Sequence, residues 1–446
     1  MCKDPFWIKH SQGLTSRLIW RLNLGNVRSS ILGTIPAMIA SRTNYIPNAK
    51  NPNGSRKKVF VGVSGGVDSS VSLALLRDKG FDVTGVFIKV YHPDFLGCSW
   101  RDERLDAMAV CQKLGVPFLD LDLEKEYKQD VFDYMIEGYR EGETPNPDVF
   151  CNKYVKFGGF LEFALDNGAD YVATGHYAQN WREPVSVSSK KRSLYSTYIS
   201  HFFSSLPWLA SNFGHSKRKY MHKMLKGSDD NKDQTYFLYQ MPQEKLQKVL
   251  FPIGHLPKSK VRKIAQKYGL LTADKKDSQG LCFVGDVNMK DFLQQYIDKK
   301  PGDVLNANGK VIGSHDGAIF YTIGERHGYT IFPKAKTPNM PRLFVAERDI
   351  ANNTITVGPK SDLEKKNKLG GLSITIRSAH WVSGHPKEDQ VYQGRVRYRG
   401  MLIDGTLEKK EEHWVMNFTE PHSSVAAGQS LVIYQGEQCV GGGIMV

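Results

Sequence analysis

The string Ser64-Gly65-Gly66-Val67-Asp68-Ser69 lies between an apolar run and a helical pattern, and it constrains the fold more than any other stretch. The run before it, Val59–Val63, reads as a short buried strand. After it, Val71, Leu75 and Leu76 recur at helical spacing until Gly80 ends the pattern. A strand that turns through glycines into a helix aims backbone N–H groups and a helix N-terminus at one point. That arrangement favours a bound anion such as phosphate. The hydroxyls of Ser64 and Ser69 add donors. The loop lacks the lysine of a Walker loop and the glycine spacing of a dinucleotide fold.

Strand and helix patterns then alternate. Strands are expected at Asp82–Val90, Val116–Leu123 and Asp170–Thr174, and helices at Arg101–Leu114, Glu124–Glu141 and near Val155–Asp166. A proline-rich loop is expected before the last of these helices. This order predicts an α/β fold with a doubly wound parallel sheet, whose ligands gather at the C-terminal strand ends. Further on, Pro257–Tyr268 reads as helix and Asp277–Asp286 as a loop. Lys290–Ile297 reads as a short helix ahead of turn-rich strands. From about Leu369 short strands at Ser373–Ile376, Gln390–Arg399, His413–Phe418 and Ser430–Tyr434 suggest a small β-barrel. Arg395, Arg397 and Arg399 alternate, so a continuous strand would put all three on one face, for phosphate or for solvent. The expected organisation is an extension over 1–56, a catalytic domain over 57–286, a central domain over 287–366 and a barrel over 367–446.

Charge helps to place the partners. The chain of 446 residues has a net charge of +14. Residues 1–56 carry +7 and residues 185–227 carry +8, so the remainder carries −1. A nucleic-acid partner must therefore be met by local patches and not by a global field. The first segment, rich in Arg and Ser and nearly free of acid, reads either as an organelle transit signal or as a disordered extension. The second, with ten serines and several aromatics, reads as an insertion: a surface loop, or a basic arm that touches RNA. No apolar run is long enough to span a membrane.

Six cysteines without a CxxC pair exclude a disulfide scaffold and a zinc ribbon. Cys111 lies in a helical pattern and reads as a small core hydrophobe. Cys151 and Cys282 fall in loop-like contexts. Asp148 stands three residues before Cys151 as a proton carrier, and Lys153 and Lys156 favour its thiolate.

With these residues in view, the chain resembles the tRNA-specific 2-thiouridylases (tRNA-uridine 2-sulfurtransferases) of the N-type ATP pyrophosphatase superfamily. The resemblance runs from about Lys57 to Val446. It rests on SGGVDS, TPNPDVFCNKYVKFG, ATGHYA, NKDQTYFLY, FPIGHL, DSQGLCFVG, YTIGERHG and GEQCVGGGI, in that order. It implies ATP bound with Mg²⁺ by Gly62, Val63, Ser64, Gly65, Gly66, Val67, Asp68 and Ser69, with Ile88 and Gly175 nearby. The strand end Ile88-Lys89-Val90-Tyr91 departs from the family's usual Met and Trp. It implies a uridine flipped from its stack, adenylated at O2, and attacked by a persulfide on Cys282 that a sulfur-relay protein supplies. Cys151 would be the partner thiol, releasing sulfide or closing a disulfide with Cys282, and Asp148 the general acid/base. Asn146, Pro147 and Asp148 would contact the target base. His176, Lys232, Asp233, Gln234, Arg397, Tyr398 and Gln429 would contact tRNA. No membrane partner is implied, and the wording of the core suggests the cytoplasm, with the mitochondrial matrix as the alternative. Two rivals are a nitrogen-transferring ATP pyrophosphatase and a non-catalytic RNA-binding protein. The first needs neither loop cysteine, and the second predicts loss of Asp68, Cys151 or Cys282, all of which are present.

Overall fold

Strand β1 (Lys58–Gly62) sends Val59 and Val61 into one apolar cluster and Phe60 into another, as a period of two requires. Both faces are therefore covered, which is the condition for a parallel sheet. The computed structural model describes residues 44–93, 95, 99–185, 220–276, 288–336, 340–361, 372–388, 390–422 and 426–446. Among these, α1 (Val67–Asp78), β2 (Asp82–Lys89), α2 (Ser99–Leu114) and β3 (Phe118–Asp122) follow in order. Helical segments α3 (Glu124–Tyr127), α4 (Tyr134–Arg140), α5 (Pro147–Phe150) and α6 (Phe160–Asp166) lead to β4 (Tyr171–Ala173). The sheet order is β3-β2-β1-β4-β7, where β7 is Val249–Leu250, and every pairing is parallel. Helices α1, α2 and the later Lys258–Lys267 cover the Val59 and Val61 face. The segment through Val155 and Phe160 covers the other face.

Two expectations are corrected in this half. The stretch containing Cys151 is helical, not a loop. Asn146 is extended, Pro147 occupies the first turn of α5, and a wide π-type stretch, Cys151–Gly159, carries the chain into α6. A proline reads as a breaker, yet at the first helical position its missing N–H has no partner to lose. The second correction concerns the expected insertion. Its last residues form β6 (Tyr220–Lys226), paired antiparallel with β5 (Ala178–Pro184). Leu225 and Met224 then pair with Gln438 and Cys439, so the segment's end belongs to a sheet shared with the C-terminal strands. Residues 186–219 lie outside the described residues, as do residues 1–43 of the expected 1–56 extension, but residues 44–56 are ordered against the catalytic half, with Asn44 donating to Phe251 O at 2.6 Å and Ala49 in the apolar cluster of Val59 and Val61.

After a short α7 (Gln243–Leu246) and α8 (Lys258–Lys267), Asn288 caps α9 (Met289–Leu293) by accepting from the N–H groups of Lys290 and Asp291. A five-stranded sheet follows, built from β8 (Gly302–Leu305), β9 (Val311–His315), β10 (Thr330–Ile331), β11 (Leu343–Asp349) and β12 (Thr354–Pro359). Its order is β10-β9-β8-β12-β11.

The chain ends in β13 (Ser373–Trp381), β14 (Val391–Arg395), β15 (Ile403–Lys410), β16 (His413–Phe418), β17 (Ser430–Gln435) and β18 (Gln438–Met445). The order β13-β16-β15-β14-β17-β18 returns to β13 through a β13–β18 pairing, which closes a six-stranded barrel. The expected strand Gln390–Arg399 stops at Arg395, so the three arginines do not share a face. Arg395 is buried, Arg397 is exposed, and Arg399 has φ +57 in the turn that follows. Among the described residues no helix is long and apolar enough to cross a membrane.

Candidate active site

The loop after β1 is held by its own hydroxyls. Gly65 has φ +68, and a Cβ there would strike the Glu103 carbonyl on α2. Gly66 is extended and precedes α1, with no side chain capping the helix, which leaves its first N–H groups for a ligand. The Ser64 N–H donates to Ser69 Oγ at 3.2 Å, and the Ser69 hydroxyl donates to Gly66 O at 3.3 Å. Lys275 holds the outer side, donating to Gly65 O at 3.1 Å and to Asp106 at 2.7 Å.

Gly175, just beyond β4, closes the opposite wall. A Cβ there would lie 2.6 Å from the Ser69 backbone nitrogen. Ile88 is buried at the end of β2, and its Cδ1 would lie 3.8 Å from a Cβ placed on Gly62. The structure therefore brings Gly62, Val63, Ser64, Gly65, Gly66, Val67, Asp68 and Ser69 together with Gly175 and Ile88 at the C-terminal edge of the sheet.

Asp68, in the first turn of α1, accepts from Tyr177 Oη at 2.8 Å and from Lys258 Nζ at 2.8 and 2.7 Å. The sequence reading missed Tyr177, Lys258 and Lys275. Lys258 had a legible signal: it opens α8, whose first turn holds no acid. A cation there faces the positive end of the helix dipole and calls for a carboxylate. Among the described residues no three His, Cys, Asp or Glu side chains gather as a metal cluster. One carboxylate beside a phosphate cradle nonetheless suits Mg²⁺, which takes one or two carboxylates and completes its shell with phosphates and water.

Cys151 is 1% exposed at the junction of α5 and the wide turn. Asp148 is half-buried one helical turn earlier, on the same side. Its carbonyl accepts from Asn152 Nδ2 at 2.9 Å. Cys282 and Cys98 lie outside the described residues. Cys111 is buried, its thiol is pushed up to about 12 by burial, and a Cβ on Gly85 would collide with its sulfur. It is a core residue, as expected. Cys439 is likewise buried, and burial pushes its thiol up.

The residues expected to touch tRNA divide sharply. His176 is 7% exposed, its Nδ1 lies 2.8 Å from Thr174 Oγ1, and its ring packs near Phe157 and Phe251. Burial, then Lys156, holds its imidazole well below the usual range, so it is neutral. Asp233 is buried, pairs with Arg395 NH1 at 2.9 Å, and accepts from Gly227 N, Thr235 N and Thr235 Oγ1. Gln234 Oε1 accepts the Tyr177 N–H at 2.9 Å. Gln429 Nε2 donates to Thr144 O at 2.8 Å, and Asn146 hydrogen-bonds Tyr236. These five brace one part of the chain against another. Lys232 and Tyr398 are half-buried and Arg397 is exposed. Tyr398 packs its ring 4.5 Å from that of Phe237, and Arg399 Nε donates to Asn231 O at 3.0 Å. Lys232, Arg397 and Tyr398 thus form a cationic, aromatic ledge where the barrel meets the catalytic half. Pro147 is half-buried at the start of α5.

A parallel sheet with an anion cradle at its first strand–helix junction, tied to a small sheet and a closed barrel, defines an α/β protein of the nucleotide-binding type with two appended β domains. The comparisons agree with that class. The tRNA methyl transferase HUP domain family matches residues 57–286, the tRNA methyl transferase PRC-barrel domain family matches 290–359, and the aminomethyltransferase β-barrel domain family matches 372–445. The tRNA-specific 2-thiouridylase MnmA of Streptococcus thermophilus is 39% identical over 88% of this chain and 96% of its own length. The protein of the same name from Streptococcus uberis is 40% identical over the same shares. Among solved structures, the U34-tRNA thiolase NcsA of Methanococcus maripaludis aligns with a TM-score of 0.29 at 17% identity, covering 53% of this chain and 62% of that one. The chain belongs to the tRNA-specific 2-thiouridylase family.

Proposed function

We propose that this protein replaces the C2 oxygen of the wobble uridine of tRNA with sulfur, in a reaction driven by ATP. The observation that carries the reading is the Ser64–Ser69 cradle, with Asp68 held by Tyr177 and Lys258 at its mouth. Exposed N–H groups at the start of α1 suit the α- and β-phosphates of ATP, and Ile88 suits the adenine edge. Mg²⁺, when bound at Asp68, supplies charge neutralisation on the leaving pyrophosphate. Lys258 shares that carboxylate or turns to the phosphates.

Uridine O2 attacks the α-phosphorus, forming an O–P bond while the bond to pyrophosphate breaks. The oxygen becomes part of a good leaving group. A persulfide on Cys282, delivered by a sulfur-relay protein, then attacks C2 and expels AMP. The Cys151 thiolate attacks the Cys282 sulfur in the resulting C2–S–S link. This closes a Cys151–Cys282 disulfide and frees 2-thiouridine, and a two-electron reductant resets the pair. Asp148, one turn before Cys151, moves the thiol proton. Lys232, Arg397 and Tyr398 steady the anticodon arm through phosphate contact and stacking. The chain is proposed to divide at 57–286, 287–366 and 367–446 and to act in the cytoplasm, with the mitochondrial matrix as the alternative.

The test supplies an anticodon stem-loop, ATP, Mg²⁺ and a persulfide donor, and follows 2-thiouridine by mass spectrometry. Wild type should place sulfur at C2, and Cys282→Ser and Cys151→Ser should not. Pyrophosphate release with no thiolated product, equal in all three proteins, would move the chain to the nitrogen-transferring branch.

A further inference from the structure

A cleft of about 190 Å³ lies beside α5 and the wide turn. Val149, Asn152 and Lys153 line it, whereas Asp148 and Cys151 do not, although Asn152 stands one helical turn after Asp148. Its other walls are Phe237, Gln240, Met241, Lys245 of α7, and His380 of the barrel strand β13. Since neither Cys151 nor Asp148 lines it, it is distinct from the place where those two groups would act on the reacting uridine.

Three residues of this cleft each keep a polar atom without a partner: Asn152 Oδ1, Gln240 Oε1 and His380 Nε2. Asn152 is 4% exposed and Gln240 7%, so bulk water does not satisfy them. Their amide orientations are fixed by the donors. Asn152 Nδ2 donates to Asp148 O and Phe237 O, and Gln240 Nε2 donates to Tyr239 Oη. Both oxygens are thus held as acceptors. Unpaired buried polar atoms are uncommon, and three on one cleft are a request for hydrogen bonds.

The barrel is bent to bring His380 there. Between the pairs Arg377↔Ile444 and His380↔Gly442, β13 advances one residue more than β18, and Ser378 in that bulge has φ +50. Bulges re-aim side chains. Here Arg377 turns to Glu143 at 2.7 Å while the His380 ring bonds the Met241 backbone. The rings of Phe157 and Phe237 give the cleft flat apolar walls beside Met241, Lys153 and Lys245 line it, and no carboxylate among the described residues does. On its other side the Phe237 ring meets Tyr398 of the ledge.

Flat apolar walls, acceptors that seek N–H donors, and two ammonium groups describe a nucleotide whose base carries an amino group. We propose that the cleft is a second nucleotide site, taking an unstacked anticodon-loop nucleotide other than the target uridine. This inference rests on the tRNA reading above. The three polar atoms are covered in this conformation, so entry of the base needs small side-chain rotations.

The test is an abasic scan. Stem-loops lacking one base at each loop position are titrated against wild type, Gln240→Leu, His380→Phe and Lys245→Ala, with thermal unfolding as a check of folding. In wild type one position besides the wobble uridine should cost roughly tenfold in Kd when its base is removed, the size of one lost stacked base. That cost should disappear in Gln240→Leu and His380→Phe, while the cost at the wobble position persists. Equal abasic penalties in wild type and variants would overturn the RNA source. Equilibrium dialysis with AMP and GMP supplies the second arm. Binding by wild type alone, without coupling in the scan, would reassign the cleft to a free nucleotide. Absence of both would make it an apolar void and end the proposal. A wild type that binds no stem-loop at all would instead refute the tRNA reading.

Discussion

The Ser64–Ser69 loop and the contact between residues 231–234 and 395–399 carry their charges in opposite ways. In the loop, function is local. Glycine torsion, serine hydroxyls and the start of α1 make an anion site within a few residues of chain. At the second place nothing is local. Asp233 and Arg395 are 162 residues apart and meet only when the barrel docks. The difference teaches what kind of evidence each needs: the loop could be read from a string, whereas the roles of Asp233 and Arg395 depend on burial.

The sharpest break of this comparison is Gly65→Ala. Its Cβ would press on backbone at a positive φ, so the loop must shift off the phosphates. A fall of roughly 10²–10³ in ATP–pyrophosphate exchange is expected, the scale of a lost preorganised anion donor. Unfolding stability should also fall, by roughly 1–2 kcal/mol for an alanine held at positive φ, which is too little to unfold the chain or to explain the loss of exchange. A variant that exchanges normally would show that the loop does not hold the phosphates.

Asp233→Ala should do the reverse. It leaves Arg395 buried without its partner, with a cost on the order of 3–5 kcal/mol in unfolding free energy. Denaturant titration checks it, and Asp233→Ala with Arg395→Met should recover much of the loss. If Asp233 served as a direct tRNA contact, the single variant would raise KM for tRNA and leave stability intact.

This contrast explains what was legible. The α/β order, the barrel and the anion loop follow from periodicity and glycine placement, which act over neighbouring residues. The helical setting of Cys151 was missed because Pro147 reads as a breaker in a string and as a first-turn residue in a helix. Strand β6 was hidden because Lys223 and Lys226 extend the basic run before it, while its partners, β5 and Cys439 of the barrel, are distant in sequence. Lys232, Asp233 and Gln234 are adjacent in sequence and alike in polarity. Only tertiary contacts separate a half-exposed lysine from a buried carboxylate and an amide locked on Tyr177.

The β5–β6 hairpin gives a smaller, pH-dependent effect. His222 on β6 is 6% exposed, its Nδ1 lies 2.9 Å from Asn180 Oδ1, and burial followed by Arg182 lowers its pKa to about 4. An unfolded histidine titrates near 6.5. Between those values the unfolded chain binds the proton and the folded chain does not, so stability rises with pH across that window and falls on acidification. The loss from pH 7 to pH 4 should be about 3 kcal/mol. His222→Gln should flatten that part of the stability curve, and an unchanged slope would remove the hairpin from the acid response.

The smallest effect sharpens the comparison most. Arg395, Arg397 and Arg399 are one residue type at a spacing of two, yet their surroundings differ. Arg395 is spent on Asp233, and Arg399 gives its Nε to Asn231 O while standing 5.1 Å from the Tyr398 ring. Arg397 lies exposed between them. If those two anchors set the ledge and Arg397 meets a phosphate, Arg397→Ala should leave unfolding unchanged within about 0.5 kcal/mol. Binding of tRNA should weaken similarly for all substrate tRNAs, and the slope of log K against log salt should shrink by about one. A fall in stability would place Arg397 with Arg395 as a structural residue. A loss confined to one tRNA would make it a base reader, and the division between bracing and contacting arginines would have to be redrawn.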